Sequence, residues 1–439
     1  MNIVKRIINI VFGSVFLKNV LLVMSGTAFV QVISGLVSPI ITRIYAPEEY
    51  GILTIYTAVL GSITIVGSLK YEWGVAIAED DDKAINILAL SILVLVIFTF
   101  LVTSLLIFAG EEILALFEGK SLLRYKYFIP LGVLLTGLHN IFIQWAYREK
   151  NFQAIYKTKL SQSISQSIVK IGLGLIRIGP VGLILGSILG QSAGIATLAK
   201  PVIRKQLNLF EKLTKERIVW SAKRYKNFPL YSAPSQFFNS IGIHLPVFFL
   251  SALYGSGTIG FFGLANSIVS LPMNLIGRSV GDVFYSEAAR IGRSEPQRLK
   301  ELSLLLLKRL IFIGFIPFFV LILFGPFLFS IVFGERWYIS GVYARILALL
   351  VFMRLLFTPI SRIYSVFEKQ KEALIIDLFR IILVILSFVI CKLLSLNSYW
   401  AVSLYSLAMS IVYLVTFLYS QRILNLEIKS ENMKPEANY

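Results

Sequence analysis

The sequence is poor in the residue types that build most enzyme sites and disulfide-bonded scaffolds. Its 439 residues include a single cysteine, Cys391, and two histidines. One cysteine excludes an intrachain disulfide and a thiolate metal cluster. The sequence also contains no P-loop, no GxSxG and no HExxH motif, so it offers no support for nucleotide-driven, serine-hydrolase or zinc-protease chemistry. We therefore expect no catalytic residue, no metal site and no cofactor.

Charged residues are also scarce, at 15% of the chain, whereas hydrophobic residues make up 56% and the mean hydropathy is +0.78. Apolar runs of about 20 residues recur along the chain, and each is long enough to cross a bilayer as a helix. The runs are continuous rather than alternating, which favours helices over a β-barrel. The sequence thus predicts an all-α polytopic membrane protein with twelve transmembrane helices, at 20–42, 51–70, 84–108, 127–147, 161–177, 182–200, 229–252, 259–278, 303–324, 341–361, 373–391 and 400–421.

The distribution of positive charge predicts the orientation of these helices. When both termini are placed in the cytoplasm, most of the 42 lysines and arginines fall in the inner segments, as the positive-inside rule requires. The same rule accounts for the net charge of +18, so we expect no nucleic-acid partner.

A long basic segment divides the predicted helices six and six. The fragment TAFVQVIS (27–34) aligns with SAPSQFFN (232–239), and both halves enter the membrane in the same sense, which predicts two lobes related by a pseudo-two-fold axis along the membrane normal. The predicted organisation is an amphipathic interfacial helix (1–19), an N-terminal lobe (20–200), a cytoplasmic linker (201–228), a C-terminal lobe (229–421) and a cytoplasmic tail (422–439).

Polar side chains form stripes inside two corresponding helices. Thr27, Gln31 and Ser34 share one face of the first helix, and Gln236 and Asn239 share one face of the seventh. Lipid cannot satisfy these groups, so they face either a cavity or neighbouring helices as interhelical hydrogen bonds. Matching stripes in corresponding helices favour a central cleft.

Ionisable residues within the predicted spans are candidates for function because they are costly to keep in a bilayer. Lys170 and Arg354 lie nearest the middle of the membrane. Asp377 either takes part in ion coupling or pairs with Arg380, three residues later. His139 and His244 are either proton relays or hydrogen-bonded groups of the bundle. The candidates for ion and proton coupling are Asp377, His139 and His244.

The stretch RIYAPEEYG (43–51) separates the first two spans. Pro47 suits the first position of a helix, and the glutamates that follow suit the positive end of its dipole. Gly51 permits a close backbone approach. This pattern indicates a structural turn, while Arg43 can reach either lipid headgroups or an internal cavity.

Taken together, the segments SGTAFVQVISGLVSPIITRIYAPEEYGILTIY (25–56) and YREKNFQAIYK (147–157) resemble the Wzx-type polysaccharide flippases of bacterial inner membranes. That family lies within the multidrug/oligosaccharidyl-lipid/polysaccharide exporter superfamily and has a MATE-like fold. The resemblance implies a transporter that moves O-antigen or capsule repeat units, linked to undecaprenyl diphosphate, from the inner to the outer leaflet. It further implies alternating access, coupling to H⁺ or Na⁺, contact with membrane lipids, and cooperation with a polysaccharide polymerase and a chain-length regulator.

By this resemblance, the candidate substrate contacts are basic and polar residues of the spans. Arginine and lysine suit phosphate or sugar-acid oxygens, and small polar side chains suit sugar hydroxyls. The phosphate or sugar-acid candidates are Arg43, Lys70, Lys170, Arg278 and Arg354, and the sugar candidates are Thr27, Gln31, Ser34, Gln236 and Asn239.

Three alternatives stay open. A multidrug or cation antiporter of the same superfamily would need carboxylates in its cavity, whereas the deep charges here are mostly positive. A membrane glycan polymerase or ligase would need a large outer loop, and the predicted outer loops are short. A membrane scaffold without transport would have no use for costly intramembrane charges.

Overall fold

The computed structural model describes residues 15–116, 120–205, 212–291 and 295–432. Within these ranges every regular element is a helix, and the predicted all-α class is confirmed. The predicted interfacial helix at 1–19 and the end of the predicted tail fall largely outside the described residues.

The chain divides into two compact units, residues 1–260 and 261–439. The lobe boundaries that the sequence predicts, at 200 and 229, stay a prediction. The helices that begin in the first unit are α1 Val15–Ile44, α2 Pro47–Thr64, α3 Glu72–Ile77, α4 Asp81–Phe108, α5 Gly110–Leu116, α6 Lys120–Leu123, α7 Phe128–Arg148, α8 Phe152–Leu175, α9 Pro180–Ser192, α10 Ile195–Lys205, α11 Lys215–Arg224 and α12 Ala233–Val269.

The second unit is built from fewer and longer helices. They are α13 Arg278–Ile291, α14 Pro296–Phe333, α15 Tyr338–Phe357, α16 Ile363–Val366, α17 Gln370–Leu393 and α18 Ser398–Asn432. Single turns of other helix types occur at Phe228–Ser232, Met273–Gly277, Glu335–Trp337 and Ile360–Arg362. Within this unit α15 packs between α14 and α18, and α17 packs against α18.

Nine segments of the described residues are long and apolar enough to cross a membrane. The helices α2 and α8 coincide with predicted spans but are more polar, because α2 opens on two glutamates and α8 carries three lysines, at 157, 159 and 170. Two predicted spans, 229–252 and 259–278, correspond to the two halves of α12, which are helices joined by a kink at Gly255, where φ is +79° and ψ is 179°. Glycine adopts this conformation without a steric cost.

Many large apolar side chains lie on the surface of the helices. Phe108 is 86% exposed, Phe312 78% and Leu393 76%. Soluble monomers rarely expose so many large apolar side chains, whereas a protein surrounded by lipid does. The protein is a multi-pass membrane protein.

The turn between α1 and α2 is built as the sequence predicts. Pro47 occupies the first turn of α2, and Glu49 accepts a hydrogen bond from the Ala46 backbone N–H at 2.8 Å. A Cβ added to Gly51 would overlap the carbonyl oxygen of Ser256. The close backbone approach at Gly51 is confirmed, and its partner is the second half of α12.

Two helices extend beyond their predicted ends. The span predicted at 400–421 continues as α18 to Asn432, and the span predicted at 303–324 belongs to the longer α14, Pro296–Phe333. The turns added at the start of α14 (PQRLKEL) and at the end of α18 (SQRILNLEIKSEN) are polar, so hydropathy alone does not include them. The turns added at the end of α14 (GPFLFSIVF) are apolar.

Candidate functional site

A polar cluster lies between α1, α7, α8 and α9 in the first unit. Lys159 Nζ donates a hydrogen bond to Thr27 Oγ1 at 2.6 Å. Gln162 Nε2 donates to the backbone oxygen of Gln191 at 2.7 Å and lies 3.3 Å from a ring nitrogen of His139. We call these residues, together with Thr136, which donates to Gln191 Oε1 at 2.9 Å, the lysine–glutamine cluster.

The start of α8 places this cluster. Asn151 caps the helix by accepting a hydrogen bond from the Ala154 N–H at 3.1 Å. Because the helix begins at Phe152, Lys159 and Gln162 lie on its second and third turns and share one face. The predicted span at 161–177 begins after Lys159, whereas the structure places Lys159 inside the helix.

Lys170 lies two turns further along α8 and is only 8% exposed. Its backbone oxygen accepts a hydrogen bond from the Tyr45 hydroxyl at 2.7 Å. A Cβ added to Gly186 would overlap the Lys170 side chain. The Lys170 side chain therefore packs closely against α9 at a position where only glycine leaves enough space. Among the described residues no carboxylate pairs with the Lys170 ammonium, and an ammonium buried in this way is costly.

A second group of charged and phenolic side chains lies in the second unit. Arg354 on α15 and Arg380 on α17 both lie within electrostatic range of the Tyr405 hydroxyl on α18, as does Tyr413. Arg380 Nη2 also pairs with Asp377 Oδ1 at 3.3 Å. The pairing that the i, i+3 spacing of Asp377 and Arg380 allows is therefore present.

A segment of the chain that includes Lys159, Gln162 and Lys170, but ends before Arg354, matches the model of a known family. The family is described as polysaccharide biosynthesis protein, and the match covers residues 40–342. The chain belongs to the polysaccharide biosynthesis protein family. The resemblance predicted from the sequence, to polysaccharide exporters, is confirmed at this level.

Solved structures of transporters share the fold of this polysaccharide biosynthesis protein. An inward-facing multidrug resistance MATE family transporter of the MOP superfamily is 16% identical, with 91% of this chain and 96% of that chain covered and a TM-score of 0.73. The lipid II flippase MurJ, in an inward closed conformation, is 16% identical, with 92% and 87% covered and a TM-score of 0.70. The predicted MATE-like fold is confirmed.

A third similar structure is a MOP superfamily transporter from Pyrococcus furiosus, described as having a binding pocket of reverse polarity. It is 17% identical, with 94% of this chain and 96% of that chain covered and a TM-score of 0.60. No curated protein sequence matches this chain.

Lys70 lies apart from these groups, in the bend between α2 and α3. It is 7% exposed, pairs with Glu72 at 3.6 Å, and stands 5.0 Å from the centre of the Trp73 ring. Leu69 and Lys70 both have positive φ, 51° and 63°, and this conformation turns the chain sharply. The ion pair neutralises Lys70, one of the five predicted phosphate contacts.

The other predicted contacts in this polysaccharide biosynthesis protein have varied surroundings. Gln31 and Gln236 are partly buried, while Arg43, Ser34 and Asn239 are exposed. His244 packs against α2, where a Cβ added to Gly61 would lie 3.0 Å from its Nε2. The side chain of Arg278 lies outside the described residues.

The structure therefore unites only some of the predicted residues. Thr27 and His139 belong to the lysine–glutamine cluster, and Lys170 lies two turns beyond the cluster residues of α8. Sequence reasoning missed Lys159, Gln191 and Tyr405. The Asn151 cap was a signal for Lys159, but a glutamine or tyrosine in an apolar helix gives no sign of the neighbour it will meet.

Proposed function

We propose that this chain is a flippase for lipid-linked polysaccharide repeat units. Its cargo is an oligosaccharide on undecaprenyl diphosphate, moved from the inner to the outer leaflet of the bacterial inner membrane by alternating access. Both termini lie in the cytoplasm in this proposal, and a polymerase and a chain-length regulator act on the exported units.

The observation that carries the proposal is Lys170. A buried ammonium without a carboxylate partner among the described residues is expensive, and such groups in membrane helices are kept for a use. A diphosphate headgroup supplies the missing negative charge. Membership in a polysaccharide biosynthesis family supports a glycan as the rest of the headgroup.

The remaining polar groups fit the same cargo. The lysine–glutamine cluster offers amide, hydroxyl and ammonium groups, which suit sugar hydroxyls and phosphate oxygens. Arg354, in the second unit, forms no ion pair with a described residue and adds a guanidinium that suits phosphate geometry.

The balance of charge disfavours the second candidate, a multidrug or cation antiporter. A site for organic cations needs carboxylates, and none of the residues that make up the lysine–glutamine cluster is acidic. The only carboxylate among the predicted coupling residues, Asp377, is paired with Arg380. We keep Asp377, His139 and His244 as candidates for H⁺ or Na⁺ coupling.

The test is export in cells. Lys170→Ala and Arg354→Ala should each lower surface polysaccharide about 10-fold or more, because each removes a charged hydrogen-bond donor to the headgroup. The matched controls are Lys157→Ala, an exposed lysine of α8, and Arg345→Ala on α15. Normal surface glycan in both test variants, with equal amounts of protein in the membrane, would remove the proposed role of the two cations.

A further inference from the structure

A small polar pocket lies at the end of a membrane-spanning segment, where the start of α4 meets α11. Its volume is about 240 Å³. The neutral side chains that line it are Asn86, Trp220 and Ser221, and the charged ones are Asp80, Asp82, Lys83 and Arg217. The distribution of basic residues predicts that this face is cytoplasmic. The proposed flipping route makes no use of the pocket.

The charged groups of the pocket are already paired. Asp82 binds Lys212 Nζ at 2.8 Å and lies 3.8 Å from Arg217. Asp80 accepts a hydrogen bond from the Lys83 backbone N–H at 2.7 Å and lies 3.3 Å from its ammonium. Two carboxylates and two cations thus balance in the lining. The carboxylates would repel a phosphate and the cations would repel a metal ion, so the charge pattern favours a neutral ligand.

Two neutral polar atoms of the pocket have no hydrogen-bond partner among the described residues. Asn86 Nδ2 donates to the backbone oxygens of Asp82 at 2.7 Å and of Lys212 at 3.3 Å, which fixes the orientation of the amide. Its Oδ1 is left without a donor, and so is Ser221 Oγ; both residues are 1% exposed. Buried polar atoms are nearly always satisfied, so these two point to a missing hydroxyl or amide group.

Trp220 adds an aromatic surface beside the two unsatisfied atoms. Its side chain is 44% exposed, and Lys83 Nζ stands 5.6 Å from the centre of the ring. An indole presents a flat apolar face, which suits the C–H face of a sugar ring. The pocket volume lies below the roughly 300 Å³ at which sites for drug-sized ligands begin, so one ring fills it.

We propose that this pocket binds a single neutral sugar ring, which stacks on Trp220 and hydrogen-bonds to Asn86 Oδ1 and Ser221 Oγ. The ring has two chemical sources, a soluble nucleotide-sugar or the glycan of a lipid-linked oligosaccharide. The second source rests on the proposed flippase function, whereas the pocket itself does not.

The test uses the full chain in phospholipid nanodiscs and four probes: the methyl glycosides of glucose, galactose, N-acetylglucosamine and glucuronic acid. Binding is measured by saturation-transfer NMR and calorimetry. At least one neutral glycoside should bind saturably and more tightly than the charged glucuronide. Ser221→Ala should weaken its binding about 2- to 10-fold, the value of one neutral hydrogen bond. Trp220→Ala should weaken it at least as much.

Ser91→Ala is the matched control, because Ser91 is a buried serine of α4 whose Oγ donates to the Ile87 backbone oxygen; it should leave glycoside affinity unchanged. Ser221→Ala should melt at the same temperature as the natural protein or higher, because it deletes an unsatisfied group. No saturable binding of a neutral glycoside, meaning that water alone fills the pocket, overturns the proposal. Equal affinity in Ser221→Ala, Trp220→Ala and the natural protein overturns it as well.

Competition then assigns the source. If a UDP-sugar displaces the glycoside, the natural ligand of the pocket is a soluble nucleotide-sugar. If lipid-linked oligosaccharide displaces it, the natural ligand is the glycan of the proposed cargo. Flipping is measured separately in reconstituted vesicles. Glycoside binding without flipping supports the sugar-binding pocket and overturns the proposed flippase function. Flipping without glycoside binding supports the flippase function and overturns the sugar-binding pocket.

Discussion

Replacing Lys170 by methionine should stabilise the protein and at the same time impair export. The Lys170 side chain is 8% exposed and its ammonium has no carboxylate partner among the described residues. The Tyr45 hydroxyl binds its backbone oxygen, a contact that the substitution retains. Methionine is flexible enough to fill the space beside Gly186.

The magnitude follows from the cost of a buried charge. Replacing buried charged groups by apolar side chains of similar volume is often stabilising by about 1–4 kcal/mol. With a response of about 2 °C per kcal/mol for a large domain, the melting midpoint should rise by roughly 2–8 °C. Export should fall about 10-fold or more, because the headgroup loses a charged donor.

Two assays are needed on the same variant. Thermal unfolding of the purified protein gives the midpoint, and immunodetection of surface glycan gives export, normalised to protein in the membrane. Lys157→Met, an exposed position on the same helix, should change neither. A lower midpoint would show that the ammonium has a stabilising partner, and undiminished export would show that the headgroup does not use it; either result refutes the reasoning.

Three further outcomes test the structure. Gly51→Ala should lower the free energy of unfolding by about 1–3 kcal/mol, and with it the melting midpoint. Gly172→Ala, where an added Cβ meets no described atom within 4 Å, should instead raise the free energy of unfolding by about 0.5–1 kcal/mol. Equal melting midpoints for the two variants would contradict the close backbone approach at Gly51. Glu72→Gln should cost about 3–5 kcal/mol because it leaves Lys70 buried without its partner, and the double replacement of both by methionine should recover most of it, as measured by chemical unfolding. The Lys83 backbone N–H holds the pKa of Asp80 below its usual value. The stabilisation that the Asp80 carboxylate contributes is therefore full at pH values above the usual pKa and is lost as the pH falls through the lowered pKa. The melting midpoints of Asp80→Asn and of the natural protein should converge in acid, and a constant difference between them across pH would contradict this.

The sequence predicts the fold well because the bilayer imposes strong rules on composition. Apolar runs mark the helices, and Pro47 with its following glutamates marks a helix start that the structure confirms. The break predicted between the spans 229–252 and 259–278 is present as the kink at Gly255. The rules weaken at the end of α18, where polar turns extend the helix to Asn432 although hydropathy has already fallen.

The candidate site is less predictable, because it depends on which helix faces meet. Helical spacing places Gln162 and Lys170 on one face of α8, but it does not reveal that Gln191 of α9 accepts a hydrogen bond from Gln162. Nor does it reveal that the Tyr45 hydroxyl donates a hydrogen bond to the Lys170 backbone oxygen. Such contacts are set by packing of small residues between helices, of which Gly186 against Lys170 is an example.

The bend at Leu69 and Lys70 has a consequence for how this family diverges. Two successive non-glycine residues at positive φ cost about 1–3 kcal/mol each, and the bend delivers Lys70 to Glu72. A chain that loses the acid at 72 leaves the Lys70 ammonium buried without its partner, so the residues at 70 and 72 should change together among related sequences. Glycine at 69 or 70 would relieve the backbone strain whichever residue stands at 72.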